Sequence, residues 1–314
     1  MARIELRLFP GAEVRPGYFL VSWLGSGGAG EVWQAVAPDD TPCGMKFIDL
    51  DHGAASREAR ALDFMKSLRH PNLIMIQDVF SIENYLVVAM ELCQGTLKDR
   101  LDVWKGQGGA GIPGQELIGY MGQAAQGIDF LNAPQHLVGG AQGVRIVHQD
   151  IKPQNLLLFR ETVKVADFGL ARTLERSLTT KTTGGMTPVY APPEFFHGET
   201  AEQSDQYSLA VTYCQLRGGR TPFTGTPYQL MAGHTNGSPD LSMLPESERS
   251  VVAIALSKNR HDRWTNCTAF VENLRNCLSS DELTAQPSST TSETIEYRDS
   301  RGSSHSSGRR PSNA

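Results

Sequence analysis

The chain has no pair of cysteines at metal or redox spacing. Its five cysteines (Cys43, Cys93, Cys214, Cys267 and Cys277) are odd in number and scattered. That argues against a disulfide framework and a C-x-x-C zinc or redox site, and points to a reducing, cytoplasmic setting. No run of about 18 apolar residues occurs, so a membrane span is not expected. The first residues lack a basic segment followed by an apolar core, so they do not read as a secretory signal. Blocks of about five or more like charges are also missing. With 29 Lys and Arg against 34 Asp and Glu, the formal net charge is −5, which argues against nucleic acid as the main partner. What remains is a chain of 314 residues, 39% hydrophobic and 20% charged, enough for one large or two modest domains with a real core.

The densest chemistry lies in Ile146-Val147-His148-Gln149-Asp150-Ile151-Lys152-Pro153-Gln154-Asn155, followed by Leu156–Leu158 and by Lys164-Val165-Ala166-Asp167-Phe168-Gly169. Asp150, Lys152 and Asn155 fall on a loop between apolar, strand-like runs, and Asp167 falls just after the second run. A hairpin brings all four polar groups to one end. Carboxylates with a carboxamide suit a hard cation such as Mg²⁺, which prefers oxygen ligands and shares them with substrate phosphates. A lysine beside a free carboxylate suits transfer of a negatively charged group to a hydroxyl.

Such a centre needs a phosphate cradle. From Tyr18 through Leu24 apolar and small residues alternate as in a strand, and Gly25-Ser26-Gly27-Gly28-Ala29-Gly30-Glu31-Val32 follows. Glycines let the backbone turn tightly and lie close over phosphates. This G-x-G-x-x-G also fits the opening of a dinucleotide-binding unit, with Asp49 or Asp51 placed for a ribose. Three features decide against that: Val32–Val36 continues as a strand rather than a helix, Lys46 follows in a second apolar strand over 43–50, and a helical segment carrying Glu58 comes next.

Taken together, His148-x-Asp150-x-Lys152-x-x-Asn155 and Asp167-Phe168-Gly169 resemble the catalytic and metal loops of the eukaryotic-like, Hanks-type Ser/Thr protein kinases, in their bacterial form. The resemblance implies an α+β, bilobal kinase fold: a small β-rich N-lobe with one long helix and a larger, mainly helical C-lobe. It implies an arm over 1–16, a kinase domain over 17–278 (N-lobe 17–92, C-lobe 93–278), and a disordered Ser/Thr-rich tail over 279–314, where apolar residues nearly vanish. It implies transfer of the γ-phosphate of ATP to protein serine and threonine hydroxyls, including its own, with Mg²⁺ (or Mn²⁺). The competing class is a pseudokinase acting as a nucleotide-binding scaffold, which a missing Lys, Asp or Asn would favour; none is missing.

The family's roles carry over onto matching residues. The glycine loop (Gly25, Ser26, Gly27, Gly28, Ala29, Gly30) covers the phosphates, and Lys46 holds the α- and β-phosphates while paired with Glu58. Val32 and Leu157 enclose adenine, Met90 lies at the back of the pocket, and Met90-Glu91-Leu92-Cys93 matches the linker that bonds adenine. Asp150 orients the attacking hydroxyl, Lys152 neutralises the γ-phosphate, and Asn155 and Asp167 bind the metal. Leu62, His148 and Phe168 stack; Asp205 braces the catalytic loop; Arg263 pairs with Glu194; and the stretch from Thr187 to Glu194 is the substrate-docking floor. Three departures stand out. Gly44 replaces the usual Ala, Gln149 replaces the usual Arg, and the helical segment around Glu58 is about one turn longer than is common. Residues 133–145 form an insertion read as a surface loop.

Overall fold

The computed structural model describes residues 7–27, 30–49, 66–138, 141–168 and 188–278. Its first part is a six-stranded antiparallel sheet in the order β1-β2-β3-β4-β6-β5. The strands are β1 (Glu13–Arg15), β2 (Tyr18–Gly27), β3 (Gly30–Val36), β4 (Pro42–Asp49), β5 (Ile76–Ile82) and β6 (Tyr85–Glu91). Side-chain alternation sorts each central strand onto two faces. Met45, Phe47, Val87 and Ala89 bury one face together with Leu20, Trp33 and Ala35. Ile48, Leu86 and Val88 turn the other way, into the core of the C-terminal lobe. Lys46 lies in register with Val88 and Val32, on this second face, which borders the cleft.

The expected arm is not without structure. Ala12 and Val14 are buried in the first face's core, and β1 pairs with β2. The apolar run Leu73–Phe80 reads as a strand in the sequence, yet the strand begins only at Ile76, because the chain before it is captured by the C-lobe. Leu73 bridges Val165 in parallel, the Ile74 amide donates to the Val165 carbonyl at 2.9 Å, and the Val165 amide donates to the Asn72 carbonyl at 2.8 Å. Gly127 lets a helix approach here: a Cβ on it would lie 2.6 Å from the Asn72 carbonyl oxygen.

The C-terminal lobe is mainly helical, with a short sheet of β7 (Gly95–Thr96), β10 (Leu156–Phe159) and β11 (Thr162–Val165) at the cleft. Helix α1 (Leu97–Gly106) opens on a capping box in which Thr96 and Asp99 exchange side chain–backbone bonds. Helix α2 (Gly114–Asn132) buries Leu117, Met121, Ala124, Ile128 and Leu131, the stripe that its 3.6-residue period predicts. Around it lie α3 (Ser204–Gly218), α4 (Pro227–Asn236), α5 (Glu246–Ala255) and α6 (Cys267–Cys277). Asp129 of α2 caps α6 by accepting from the amides of Cys267 and Thr268 at 2.9 Å each.

The insertion is a correction to the surface-loop reading. Strands β8 (His136–Val138) and β9 (Ala141–Val144) form a hairpin, docked by His136. The His136 ring nitrogen bonds the Phe130 and Leu131 carbonyls at 2.8 and 3.1 Å, and its ring meets Phe130 edge-on. The Gly and Gln content hides this element, because its strands are short and its anchors, contacts of His136 and Gln135 with the end of α2 and of Arg145 with Glu202, lie outside the pairing itself.

Candidate active site

The catalytic loop is fixed from below before any of its side chains does chemistry. Asp205, at the start of α3, is fully buried and accepts from the backbone amides of His148 and Gln149 at 2.7 Å each. These bonds tolerate the left-handed backbone of Gln149 (φ 68°), a conformation that costs about 1–3 kcal/mol for a non-glycine residue unless its surroundings impose it. The His148 ring bonds the Ala166 carbonyl at 2.8 Å, and the Ala166 amide donates to the Asn155 carbonyl at 2.9 Å. The segment after β11 that carries Asp167 is thereby tied to the loop carrying Asp150. Asp167 also takes a left-handed backbone (φ 63°).

Within the loop, one oxygen of Asp150 is occupied. Its Oδ2 accepts from Lys152 Nζ at 2.8 Å and from Asn155 Nδ2 at 2.9 Å. Asn155 Nδ2 also donates to the Asp150 carbonyl at 2.7 Å. Asp150 Oδ1 and Asn155 Oδ1 take no part in these bonds, so each loop residue keeps an oxygen for something else. Across the cleft, buried Lys46 meets Asp167 Oδ2 at 2.6 Å. Burial alone raises the Asp167 carboxyl; the charge and hydrogen bond of Lys46, with smaller help from His148 and Lys152, overturn this and hold it below the usual range.

The nucleotide side is assembled by register. Gly25, Ser26 and Gly27 end β2 and pair with Val32, Glu31 and Gly30 of β3, so the glycine loop is a hairpin tip; Gly28 and Ala29 lie outside the described residues. Gly30 is required by packing as well as by turning: at φ 117°, a Cβ would lie 1.8 Å from the Phe47 carbonyl oxygen. Gly44 differs, since a Cβ there would meet Met90 Cγ at an ordinary 3.5 Å. Val32 sits opposite Lys46, Gly44 opposite Met90, and Leu157 on β10 opposite Thr96 and Lys164. Cys93 is half-buried; burial, helped by Glu91, pushes its thiol up to about 12, so it stays protonated and inert.

The resemblance also implies an activation segment over 170–190 with Ser177, Thr179, Thr180, Thr182 and Thr183 as phosphoacceptors; these five, with Glu58, Leu62 and Thr187, fall outside the described residues. Arg263 does meet Glu194, with both guanidinium nitrogens at 2.8 Å from the two carboxylate oxygens, in a buried fork. Other partners belong to no contiguous motif. The side chain of Glu91 accepts from the Met75 amide at 2.8 Å and pairs with Lys164 at 3.1 Å. Gln149 donates from its amide to Thr200 Oγ1 at 2.9 Å, and Tyr190 donates to Gln215 at 2.5 Å. Only unusual burial of polar residues would have flagged them, and burial is not written in a sequence.

Among the described residues no three His, Cys, Asp or Glu side chains gather as a metal site. Hard divalent cations take oxygen ligands and can share them with substrate phosphates. The Asp167 carboxylate, kept ionised, and the free Asn155 Oδ1 fit such an ion.

The comparisons agree with this geometry. Residues 18–279 match the family model described as the protein kinase domain. The chain is 29% identical over 276 residues to serine/threonine-protein kinase PknF of Mycobacterium tuberculosis, covering 82% of this chain and 56% of that one. It is 30% identical over 281 residues to PknJ of Mycobacterium bovis, covering 82% and 45%. To the probable kinase PknB of Lactococcus lactis it is 29% identical over 283 residues, covering 84% and 42%. The chain thus spans about half the length of these curated relatives. An ion pair across the cleft, a clamped catalytic carboxylate and a matching family model over most of the sequence lead to one statement: the chain belongs to the protein kinase family and has its bilobal fold.

Proposed function

We propose that the chain transfers the γ-phosphate of ATP to serine and threonine hydroxyls of proteins, its own among them, from a domain spanning 17–278. The observation that carries this is the meeting of Lys46 with Asp167 at 2.6 Å, within one cleft with the Asp150–Lys152–Asn155 cluster. Two distant parts of the chain, position 46 and positions 150–167, supply these groups.

Asp150 is clamped through Oδ2, which leaves Oδ1 to accept and orient the hydroxyl proton of the acceptor. Lys152 lies beside that carboxylate, where its ammonium offsets charge on the transferring phosphoryl group. Lys46 holds the upstream phosphates, and Val32, Gly44, Met90 and Leu157 line the adenine side, with the Glu91–Cys93 backbone as its polar edge. Asn155 and Asp167 would hold Mg²⁺, or Mn²⁺, which would supply positive charge to offset that of the phosphates. The five free thiols and the need for ATP support a cytoplasmic reaction. Among the described residues no helix is long and apolar enough to cross a membrane.

Gln149 bears on regulation. A neutral amide, engaged by Thr200, cannot clamp a phosphate as the family's arginine does. The active arrangement therefore does not depend on a phosphorylated activation segment. The test is incubation with labelled ATP and Mg²⁺, comparing phosphatase-treated parent protein with Asp150→Asn. Label on serine or threonine in the parent alone supports the assignment; equal label in both, or none in either, overturns it. Activity that appears only after phosphorylation of the 170–187 segment would overturn the regulatory part alone.

A further inference from the structure

His234 of α4 is fully buried, lies outside every catalytic motif, and has both ring nitrogens engaged. Its Nε2 lies 3.0 Å from the Val189 carbonyl oxygen, so that nitrogen carries the proton and donates. Nδ1 is then an acceptor in the neutral ring, and the Tyr207 hydroxyl donates to it at 2.9 Å. The ring is also held in place sideways. Phe223 lies 4.5 Å away, centroid to centroid, and Phe196 stacks on it at 6.2 Å. Lys258 Nζ donates to the Gly233 and His234 carbonyls at 2.8 Å each, fixing the end of α4 that carries the ring. Burial, with Lys258 nearby, brings the imidazole down to about 4, so the donor–acceptor order is not exchanged by protonation near neutrality.

The far end of this chain of bonds lies next to the chemistry. Val189 is the middle of the short 3₁₀ turn Pro188–Tyr190. Ser208 of α3 donates to the Tyr190 carbonyl at 2.9 Å, and Thr212, one turn on along the same helix, donates to the Ile151 carbonyl next to Asp150 at 3.4 Å. The turn is therefore suspended between α3, which also carries the catalytic loop on Asp205, and α4, which reaches it through His234.

We propose that His234, oriented by Tyr207, is a positioning residue for the protein substrate: through the Val189 carbonyl it sets the turn at 188–190 against which the acceptor-bearing peptide rests beside Asp150. This rests on the kinase reading above. It assigns to α4 a part in substrate alignment and none in nucleotide binding.

The test uses the full chain, dephosphorylated casein as acceptor, and two substitutions that split the two ring nitrogens. His234→Asn keeps a group near Nδ1 and loses the donor to Val189; His234→Gln reaches the Nε2 position and keeps that donor. His234→Asn should raise KM for casein about five- to tenfold, the scale of one buried neutral hydrogen bond. KM for ATP and the slow hydrolysis of ATP by water should stay within about twofold, and His234→Gln should recover most of the loss. Tyr207→Phe, which removes a single oxygen, should shift casein KM in the same direction by less. Equal effects on casein and ATP, no effect on either, or identical behaviour of the Asn and Gln variants would overturn the proposal. Hydrogen exchange decides it independently of turnover: amides of the 188–195 segment should exchange faster in His234→Asn than in the parent, and unchanged exchange overturns it. A parent that fails to label casein counts against the kinase reading, while the exchange result still decides the relay.

Discussion

The two walls of the cleft are built on opposite plans. On the C-lobe side, the loop over 148–155 is held by Asp205, by the His148–Ala166 bond and by mutual bonds among Asp150, Lys152 and Asn155. Loss of one bond leaves others in place. On the N-lobe side, Lys46 sits on a sheet strand and crosses the cleft through one described contact, to Asp167. The first wall is preorganised, so the developing charge finds its partners already aimed. The second is held by an ion pair that a metal-bound nucleotide can replace, and such a wall can open to admit ATP.

The sharpest way to break this contrast is to remove the group that the first wall exists to aim. Asp150→Asn should lower kcat by on the order of 10²–10⁴-fold, the usual range for a positioned general base, while thermal unfolding stays close to that of the parent. A fall in melting temperature that matches the loss of activity would show the loop to be fragile rather than over-determined. Next comes Lys46→Met, expected to cost roughly 10²–10³-fold in kcat/KM for ATP, as for other preorganised charge contacts. If turnover survives this change within about tenfold, the single-contact picture of the upper wall fails.

Arg263→Ala probes the foundation beneath both. It leaves Glu194 as a buried, unpaired carboxylate, and urea unfolding should show a loss of about 3–5 kcal/mol. A loss below about 1 kcal/mol, the range of surface pairs, would mean that water reaches the pair. Acid should loosen the same region more gently. The fold keeps His234 neutral down to about 4 although its ordinary value is 6.5, so the unfolded chain binds the proton first and stability falls as pH drops through that window. Burial raises Glu194, but Arg263 overrides it and holds the carboxyl low, so its contribution is lost at still lower pH. Urea midpoints from about pH 7.5 to about pH 5 should therefore decline, and His234→Gln should flatten the slope; an equal slope in both would remove His234 from the account. The smallest effect belongs to Gly44→Ala, where a methyl meets Met90 at ordinary contact distance. ATP KM should fall by less than about threefold, and a rise would mean that the pocket is already full.

Much of this was legible beforehand because the chemistry is local in sequence. Asp150, Lys152 and Asn155 lie within six residues, and a pattern so short declares itself. Short apolar runs over 43–50 and 85–90 placed β4 and β6 closely, and helical spacing over 115–132 placed α2. What escaped was held by contacts between distant residues. The first three residues of the apolar run 73–80 have strand-like side chains, yet Leu73 bridges Val165, the Ile74 amide donates to Val165 in the other lobe, and Met75 bonds Glu91. The insertion is docked by contacts of His136, Gln135 and Arg145 to residues outside it. The link from His234 to Val189 spans 45 positions and joins a helix to a turn, a relation no periodicity encodes.

The attachment of residues 72–74 to β11 has a mechanical consequence. The Met75 carbonyl accepts from the Glu91 amide, and Glu91 returns the bond through its side chain while pairing with Lys164. The strip leading into the upper sheet and the strip leading out of it are thus stitched side by side onto the same lower strand. Two adjacent anchor points define a line, and a body pinned along a line can swing but cannot swivel. Opening and closing about that line would carry the glycine hairpin through an arc over the catalytic loop, so each closure returns Lys46 to the same side of Asp167.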